Sequence, residues 1–159
     1  MRRKTLWLGE FMRRFIFALA CAGLLALSAS AGARAEVFIA VNKSSQRMTV
    51  AVNGRAYYRW PVSTGVDGGP PSGHYQPERL ERMWHSRRYD WSPMPHAIFF
   101  HKGYAIHGTQ SLSRLGSRAS HGCVRLHPAR AAALFALVRS HGMGRTRIVV
   151  SGMSFFAAR

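Results

Sequence analysis

The sequence predicts a mainly β fold with one helix, and three observations support this prediction. Several short segments rich in valine, isoleucine and aromatic residues are separated by turn residues, which is the pattern of short strands. Asn53-Gly54 lies between two of these segments and is a strong signal for a type I′ hairpin turn. Only one segment, near the C-terminus, has both the length and the flanking signals of a helix.

The predicted strands follow one another closely along the chain. The hairpin turn joins residues 47–52 to residues 56–63, and residues 37–41 form a strand before it. Segment 64–73 is predicted to be a loop, because its many glycine and proline residues disfavour a strand. Further strands are predicted at residues 82–89, 97–101, 104–107 and 147–151.

The helix is predicted at residues 129–140, after a polar loop at residues 108–122. Pro128 suits the first turn of a helix, and Gly142 suits the C-terminal cap. The helix would therefore start shortly after Cys123. The residues expected on its apolar face are Ala132, Leu134, Phe135, Leu137 and Val138.

Residues 1–35 have the organisation of a signal peptide. A basic start is followed by an apolar run at residues 15–27 and by Ala33-Arg34-Ala35, a cleavage site for signal peptidase. Residues 36–159 would then form one compact domain, exported to the periplasm or the cell wall. The apolar run is shorter than the ~20 residues of a membrane span. A stable membrane span is therefore the less favoured alternative.

The chain is strongly basic, with 23 Lys and Arg against 6 Asp and Glu and a net charge of +17. The signal segment holds six of these basic residues and one acidic residue, so residues 36–159 keep a net charge near +12. Such a charge attracts anionic partners over long distances. In an exported protein these would be anionic wall or envelope polymers and not nucleic acid. An arginine-rich surface that only keeps the domain soluble is the alternative.

Cys123 is the single cysteine of residues 36–159 and the candidate nucleophile. A thiol reacts as the thiolate, so it needs a base or a positive local field. His107 ends a predicted strand fifteen residues before Cys123, and the intervening segment is long enough to loop back. We expect His107 to act as the base, with a backbone carbonyl as the partner of its ring. The helix after Cys123 is expected to lower the pKa of the thiol.

Gly122 predicts a tight turn beside the candidate nucleophile. Such a turn would let the amides of His121, Gly122 and Cys123 point at one spot and form an oxyanion hole. A simpler alternative is that glycine is present only because the turn needs an unusual φ angle.

These residues together resemble a known family. The run Ser120 to Leu126 (SHGCVRL), after His107-Gly108-Thr109, is similar to the signature of the L,D-transpeptidases, the YkuD domain family. Two earlier runs resemble family segments as well: Val62-Ser63-Thr64-Gly65 and Pro70-Pro71-Ser72-Gly73. The resemblance implies a β-sandwich-like catalytic domain that needs no cofactor. It also implies peptidoglycan stem peptides as substrates, a thioester on the cysteine, release of a terminal D-alanine, and 3–3 cross-links.

The resemblance also assigns roles to individual residues. It implies that Cys123 is the nucleophile and His107 the general base. Ser120, His121 and Gly122 map to the pocket wall and the oxyanion region. Arg125 and Gly108 are expected to contact the substrate, Arg125 through a carboxylate.

Four alternatives remain open at this point. Water in place of an amine would make the enzyme an L,D-carboxypeptidase or endopeptidase, and a non-catalytic basic wall-binding protein would not use the cysteine. His107, His121, Cys123 and His127 are all zinc-ligand types, but their spacing fits no common zinc site and no metal is expected. Finally, Trp84, Trp91, Arg87 and Arg88 either line a substrate groove or simply pack at the edge of the domain.

Overall fold

The computed structural model describes residues 37–152, and it confirms a mainly β domain with one α-helix. The expected signal peptide and residues 153–159 lie outside the described residues. The described strands form two sheets. Among residues 37–152, no helix combines the length and the apolar character needed to cross a bilayer.

The first sheet contains five strands in the order β3-β2-β1-β9-β4. The pairing of β1 with β9 is parallel, and the other pairings in this sheet are antiparallel. The turn between β2 and β3 has positive φ angles at both Asn53 and Gly54, as the predicted type I′ turn requires. The strands are β1 (Val37–Asn42), β2 (Arg47–Val52), β3 (Arg55–Pro61), β4 (Gly73–Tyr75) and β9 (Thr146–Ser151).

The second sheet contains four strands in the order β5-β6-β7-β8, and the helix α1 packs against it. Strands β5, β6 and β7 are antiparallel neighbours, whereas β7 and β8 run parallel. The elements are β5 (Arg79–Ser86), β6 (Ser92–His101), β7 (Tyr104–Gly108), β8 (Val124–Leu126) and α1 (Pro128–His141). Single-turn 3₁₀ segments lie at Leu112–Arg114 and Met143–Arg145.

One hydrophobic core joins the two sheets and the helix. Alternate residues of β1, among them Val37 and Ile39, point into this core, while Phe38 between them is exposed. Helix α1 contributes a buried stripe of Ala131, Leu134, Phe135 and Val138. The predicted apolar face was therefore wrong at Ala132, because the buried positions repeat at three- and four-residue intervals from Ala131.

The sequence missed the two shortest strands, β4 and β8. Each has only three residues and lies at the edge of its sheet, where it pairs with one interior strand, β4 with β9 and β8 with β7. No local propensity marks such a strand, since a distant partner in the sheet stabilises it. The predicted loop 64–73 thus ends at β4, and β8 lies between Cys123 and the helix.

The predicted positions of β5 and β6 also needed correction. Strand β5 begins and ends three residues earlier than predicted, because residues 87–91 form the turn to β6. Strand β6 starts five residues earlier, in spite of Pro93 and Pro95. Both prolines lie in the part of β6 that pairs only with β5, so their missing N–H groups do not interrupt a second ladder.

Candidate active site

The parallel pairing of β7 with β8 decides where His107 and Cys123 lie. Ile106 pairs with Val124, and both side chains are buried in the core. Because successive side chains of a strand point to opposite faces, His107 and Cys123 lie on the other face of this sheet. Arg125 pairs with His107 and shares that face. The structure therefore brings together the cysteine and the histidine that the sequence analysis singled out.

That face forms the floor of an open groove with a volume of about 730 Å³. Met94, Phe99 and Ala105 form a second, smaller apolar cluster there, and Trp84 and Cys123 pack against it. His107 also lines the groove. The groove thus has an apolar floor with the thiol and the imidazole at one place on it.

His107 is held in one tautomer by its own backbone. The residue is 6% exposed, and its Nδ1 lies 2.7 Å from the carbonyl oxygen of Gly108. Because a carbonyl only accepts hydrogen bonds, Nδ1 carries the proton, and Nε2 keeps the free lone pair. The partner of the ring is the backbone carbonyl that the sequence analysis expected.

Burial lowers the pKa of His107 to about 4. That pKa already includes the opposing effect of the hydrogen bond to Gly108 and a smaller lowering by the nearby Arg125 guanidinium. The imidazole is therefore neutral at neutral pH. A neutral ring with a free Nε2 is able to take a proton from a neighbouring acid.

The environment of Cys123 corrects one expectation. Burial raises the pKa of its thiol, and the backbone hydrogen bond from Ala105 and the charge of Arg125 offset this only in part. The expected lowering by the helix is absent because α1 begins at Pro128, after strand β8. The resting site therefore holds a thiol and a neutral imidazole.

Ser120 organises the turn that leads to Cys123. Its side chain is 1% exposed and its Oγ accepts a hydrogen bond from the Gly122 amide at 3.0 Å. The same Oγ donates to the Cys123 carbonyl oxygen at 2.6 Å. The Gly122 amide, which was expected to be an oxyanion donor, therefore already has a hydrogen-bond partner in this structure. The amides of His121 and Cys123 remain as candidates.

Gly122 is needed at this position both for its φ angle and for its missing side chain. Its φ is +129°, and a Cβ atom there would lie 2.5 Å from Cε1 of Tyr104. Its Cα also lies only 2.9 and 3.0 Å from where a Cβ would be at Gly65 and Gly69. Three glycines thus let the loop after β3 pack directly against the turn before β8.

Further hydrogen bonds join these two segments. The amide of Ser120 donates to the Thr64 carbonyl at 3.0 Å, and the amide of Val66 donates to the Ser120 carbonyl at 3.0 Å. Gln46 donates to Thr64 Oγ1 at 2.7 Å and accepts from the Thr64 amide at 2.9 Å. Two of the runs that carried the family resemblance, 62–65 and 120–126, are therefore neighbours in the fold.

His121 lies at the surface of the groove and stacks on Tyr89. The ring centroids are 4.5 Å apart and the rings are within 12° of parallel. Tyr89 belongs to the turn between β5 and β6, so this hairpin reaches across the groove to the turn that carries the cysteine. The stack closes one side of the groove.

The two residues expected to contact substrate differ in their placement. Arg125 lines the groove, although its Nη1 also donates to the Ala119 carbonyl at 3.1 Å. Gly108 does not line it. A Cβ at Gly108 would lie 3.1 Å from Pro95 and 3.2 Å from Pro128, so tight packing excludes this glycine from the groove. Its carbonyl instead positions His107.

The structure decides between the two alternatives for the aromatic and basic residues of the β5–β6 hairpin. Trp84, Arg87 and Arg88 line the groove, whereas Trp91 is 63% exposed and does not. Groove residues that were not predicted from the sequence include Arg79, Tyr89, Lys102 and Tyr104. The cations in the two turns that flank β6 were a signal for Lys102, but they give none for Arg79 on β5 or for the two tyrosines.

His127 has a different function from zinc binding in the described structure. Its Nδ1 accepts a hydrogen bond from the Ala129 amide at 3.2 Å and caps helix α1. Within residues 37–152, no group of three or more His, Cys, Asp or Glu side chains is arranged to hold a metal ion.

Comparison with known proteins gives one family and one fold. The family model of the L,D-transpeptidase catalytic domain (the YkuD domain) matches residues 36–150. No curated protein matches the chain significantly.

Solved structures with the same fold include three bacterial L,D-transpeptidases. The one from Mycobacterium smegmatis is 25% identical with a TM-score of 0.65, and the match covers 73% of this chain and 58% of that chain. The one from Xylanimonas cellulosilytica is 25% identical with a TM-score of 0.61, covering 74% and 61%. The one from Stackebrandtia nassauensis, at 24% identity, has a TM-score of 0.65 and coverages of 74% and 56%. The chain thus spans less than two thirds of the length of each.

Proposed function

The chain belongs to the family of L,D-transpeptidase catalytic domains, and on this premise we propose that it is an exported cysteine transpeptidase that acts on peptidoglycan stem peptides. Cys123 is the nucleophile and His107 the general base. The observation that carries the proposal is the position of both residues on one face of the β7–β8 pair, inside one groove, with a neutral imidazole. No metal or cofactor takes part in the proposed reaction.

Acylation begins when Nε2 of His107 takes the proton of the Cys123 thiol. The sulfur then attacks the carbonyl carbon at the L-centre of the diamino acid, next to the terminal D-alanine. The negative charge that develops on the carbonyl oxygen is stabilised by nearby backbone amides, with His121 and Cys123 as candidates. The C–N bond breaks, the imidazolium returns its proton to the leaving D-alanine amine, and a thioester remains.

Deacylation uses the same groups in reverse. The amine of a second stem peptide attacks the thioester and loses a proton to His107, and the C–S bond breaks. The cysteine is released as the thiol, and the product is a 3–3 cross-link. With water as the acceptor the product is a free tripeptide, which is the second candidate function.

The scheme starts from the protonation states of the resting site. Because burial raises the pKa of the Cys123 thiol and lowers that of His107, the proton starts on sulfur. Transfer to His107 therefore has to be coupled to the attack on the carbonyl. The hydrogen bond from Nδ1 to Gly108 keeps Nε2 free for this transfer.

Mass spectrometry of the intact protein tests the proposal. Incubation with a disaccharide-tetrapeptide should add the mass of the donor minus D-alanine to wild-type protein and nothing to Cys123→Ala. Addition of an acceptor peptide should then give a cross-linked dimer if transpeptidation dominates, or a tripeptide if hydrolysis does. A wild-type protein without an adduct would overturn the enzymatic proposal and favour a wall-binding protein.

Export is a separate part of the proposal. We propose that residues 1–35 are a signal peptide and that the mature protein, residues 36–159, works in the periplasm or the cell wall. Its net charge near +12 would favour contact with anionic wall or envelope polymers. N-terminal sequencing of the exported protein should begin at Glu36, and an uncleaved N-terminus would contradict this.

A further inference from the structure

The groove is lined by positive charges, and within residues 37–152 only Arg79 of these has an acidic partner, Glu81, which is not among the lining residues. Five of its lining residues are cationic: Arg79, Arg87, Arg88, Lys102 and Arg125. Among the described residues that line the groove there is no Asp or Glu. The general excess of basic residues does not explain this arrangement, because five cations converge on the cavity that holds the thiol.

Arg79 is fixed on the floor of the groove. Its guanidinium lies 4.5 Å from the ring centroid of Trp84 and 4.1 Å from that of Phe99. Its Nη1 donates to Glu81 at 2.9 Å, and 44% of the side chain remains exposed. Stacking on two aromatic rings orients the charge toward the groove and leaves other N–H donors for a ligand.

Arg87, Arg88 and Lys102 surround the groove from two hairpins. Arg87 and Arg88 precede Tyr89 in the turn between β5 and β6, and the Arg88 guanidinium lies 5.7 Å from the Tyr89 ring centroid. Lys102 is in the turn between β6 and β7. A ligand that enters the groove therefore meets cations on its way to Cys123.

Arg125 is the cation nearest to the proposed chemistry. It pairs with His107 across the β7–β8 ladder and lies two residues after Cys123 on the same face. One N–H group donates to the Ala119 carbonyl, which leaves the rest of the guanidinium fork for a carboxylate. The carboxylate of the leaving D-alanine lies close to the scissile bond and suits this position.

We infer that the groove selects acyl donors whose side-chain carboxyl groups are free and ionised, over donors in which they are carboxamides. Arg79, Arg87, Arg88 and Lys102 are the specificity-determining residues. An ionised carboxylate forms charge-assisted hydrogen bonds with them, which are roughly twice as strong as neutral ones. A carboxamide offers only a neutral oxygen as acceptor. Its NH₂ group is a donor and cannot form hydrogen bonds with arginine and lysine side chains, which are also donors. This inference rests on the proposed function.

Binding and acylation with a matched pair of donors test it. The two tetrapeptides are identical except that one has free side-chain carboxylates and the other has carboxamides. We expect the free form to bind Cys123→Ala at least 10-fold more tightly and to acylate wild-type protein at least 10-fold faster in kcat/KM. The binding advantage should fall as ionic strength rises.

Variants of the groove cations then identify the residues that produce the selectivity. Arg87→Gln combined with Arg88→Gln, and separately Lys102→Gln, should each reduce the discrimination to about 3-fold or less by weakening the free form. Arg82→Gln is the matched control, because Arg82 is exposed on β5 but lines a separate small cavity against α1. It should leave the discrimination unchanged.

The outcomes separate this inference from the proposed function. Equal affinity of Cys123→Ala for the two tetrapeptides, or no binding of either, overturns the inference. Selective binding without any thioester on wild-type protein supports the inference and contradicts the transpeptidase proposal. Loss of discrimination in Arg82→Gln to the same extent as in the groove variants would assign the effect to general charge and overturn the inference.

Discussion

Nδ1 of His107 lies 2.7 Å from the carbonyl oxygen of Gly108, the next residue in the chain. This contact needs no other side chain, so the orientation of the imidazole depends on the position of that backbone carbonyl. Gly108 cannot be enlarged without meeting Pro95 and Pro128, which holds its carbonyl in place. The ring is thus aimed by packing, and its buried position keeps it neutral.

We expect acid to destabilise the domain through His107. Its pKa is about 4 in the folded state against 6.5 when exposed, so between these values only the unfolded chain binds the proton. Stability is therefore lost as pH falls from 6.5 toward 4, by roughly 3 kcal/mol from this residue. In urea unfolding across this pH range, the free energy of unfolding should decrease less in His107→Gln than in wild type. The exposed His85, changed to Gln, should leave the loss as it is in wild type.

We expect the thiol of Cys123 to react slowly with electrophiles at neutral pH until substrate binds. Because burial raises the pKa of the Cys123 thiol, alkylation by iodoacetamide should be slow at neutral pH and should accelerate as the pH becomes alkaline. Arg125→Gln removes a charge that lowers the pKa of the thiol, so the inflection should move to higher pH. A fast, pH-independent reaction between pH 6 and 8 would indicate a preformed thiolate and contradict this expectation.

Gly122→Ala should destabilise the domain more than Gly116→Ala. Both glycines have positive φ angles, but a Cβ at Gly116 has no neighbour within 4 Å, whereas one at Gly122 would overlap Tyr104. We expect about 1–2 kcal/mol at Gly116 from the backbone alone. Overpacking should add roughly 1–3 kcal/mol at Gly122. Chemical unfolding of both variants measures the difference.

A second variant keeps the steric explanation testable. Tyr104→Leu combined with Gly122→Ala should recover part of the lost stability, because the shorter side chain no longer fills the space of the new methyl group. If the double variant is no more stable than Gly122→Ala, the clash with Tyr104 is not the cause.

Ser120→Ala should impair acylation more than it impairs folding. It removes the hydroxyl that joins the Gly122 amide to the Cys123 carbonyl and leaves a buried N–H without its partner, at a cost of about 1–3 kcal/mol. Without this bridge the turn shifts and the Cys123 amide, a candidate oxyanion donor, moves with it. The rate of thioester formation should therefore fall by roughly 10- to 100-fold. Ser117→Ala, which removes an exposed hydroxyl bonded to the Arg114 carbonyl, is the control. An unchanged acylation rate in Ser120→Ala would show that the bridge does not position the turn.

Local sequence patterns determined the elements that local interactions stabilise. Five elements were predicted within a residue or two: the hairpin at Asn53-Gly54, strands β1, β2 and β7, and the helix after Pro128. Turn preferences and the alternation of buried side chains depend on residues that are close in sequence, so a local pattern is enough to predict them. The run from Ser120 to Leu126 likewise pointed to the family, and the match over residues 36–150 confirmed it.

Tertiary structure decided what depends on distant partners. Strand β8 exists because it pairs with β7, and that pairing puts His107, Cys123 and Arg125 on one face and interposes a strand between the cysteine and the helix. The pKa of the Cys123 thiol rises instead of falling, because burial outweighs the local field that the sequence suggested. Membership of the groove follows from the pairing of β5, β6 and β7, which brings Arg79 on β5 and Lys102 in the turn after β6 to the same cavity. A linear pattern records which residues are present, but desolvation and charge depend on what surrounds them after folding.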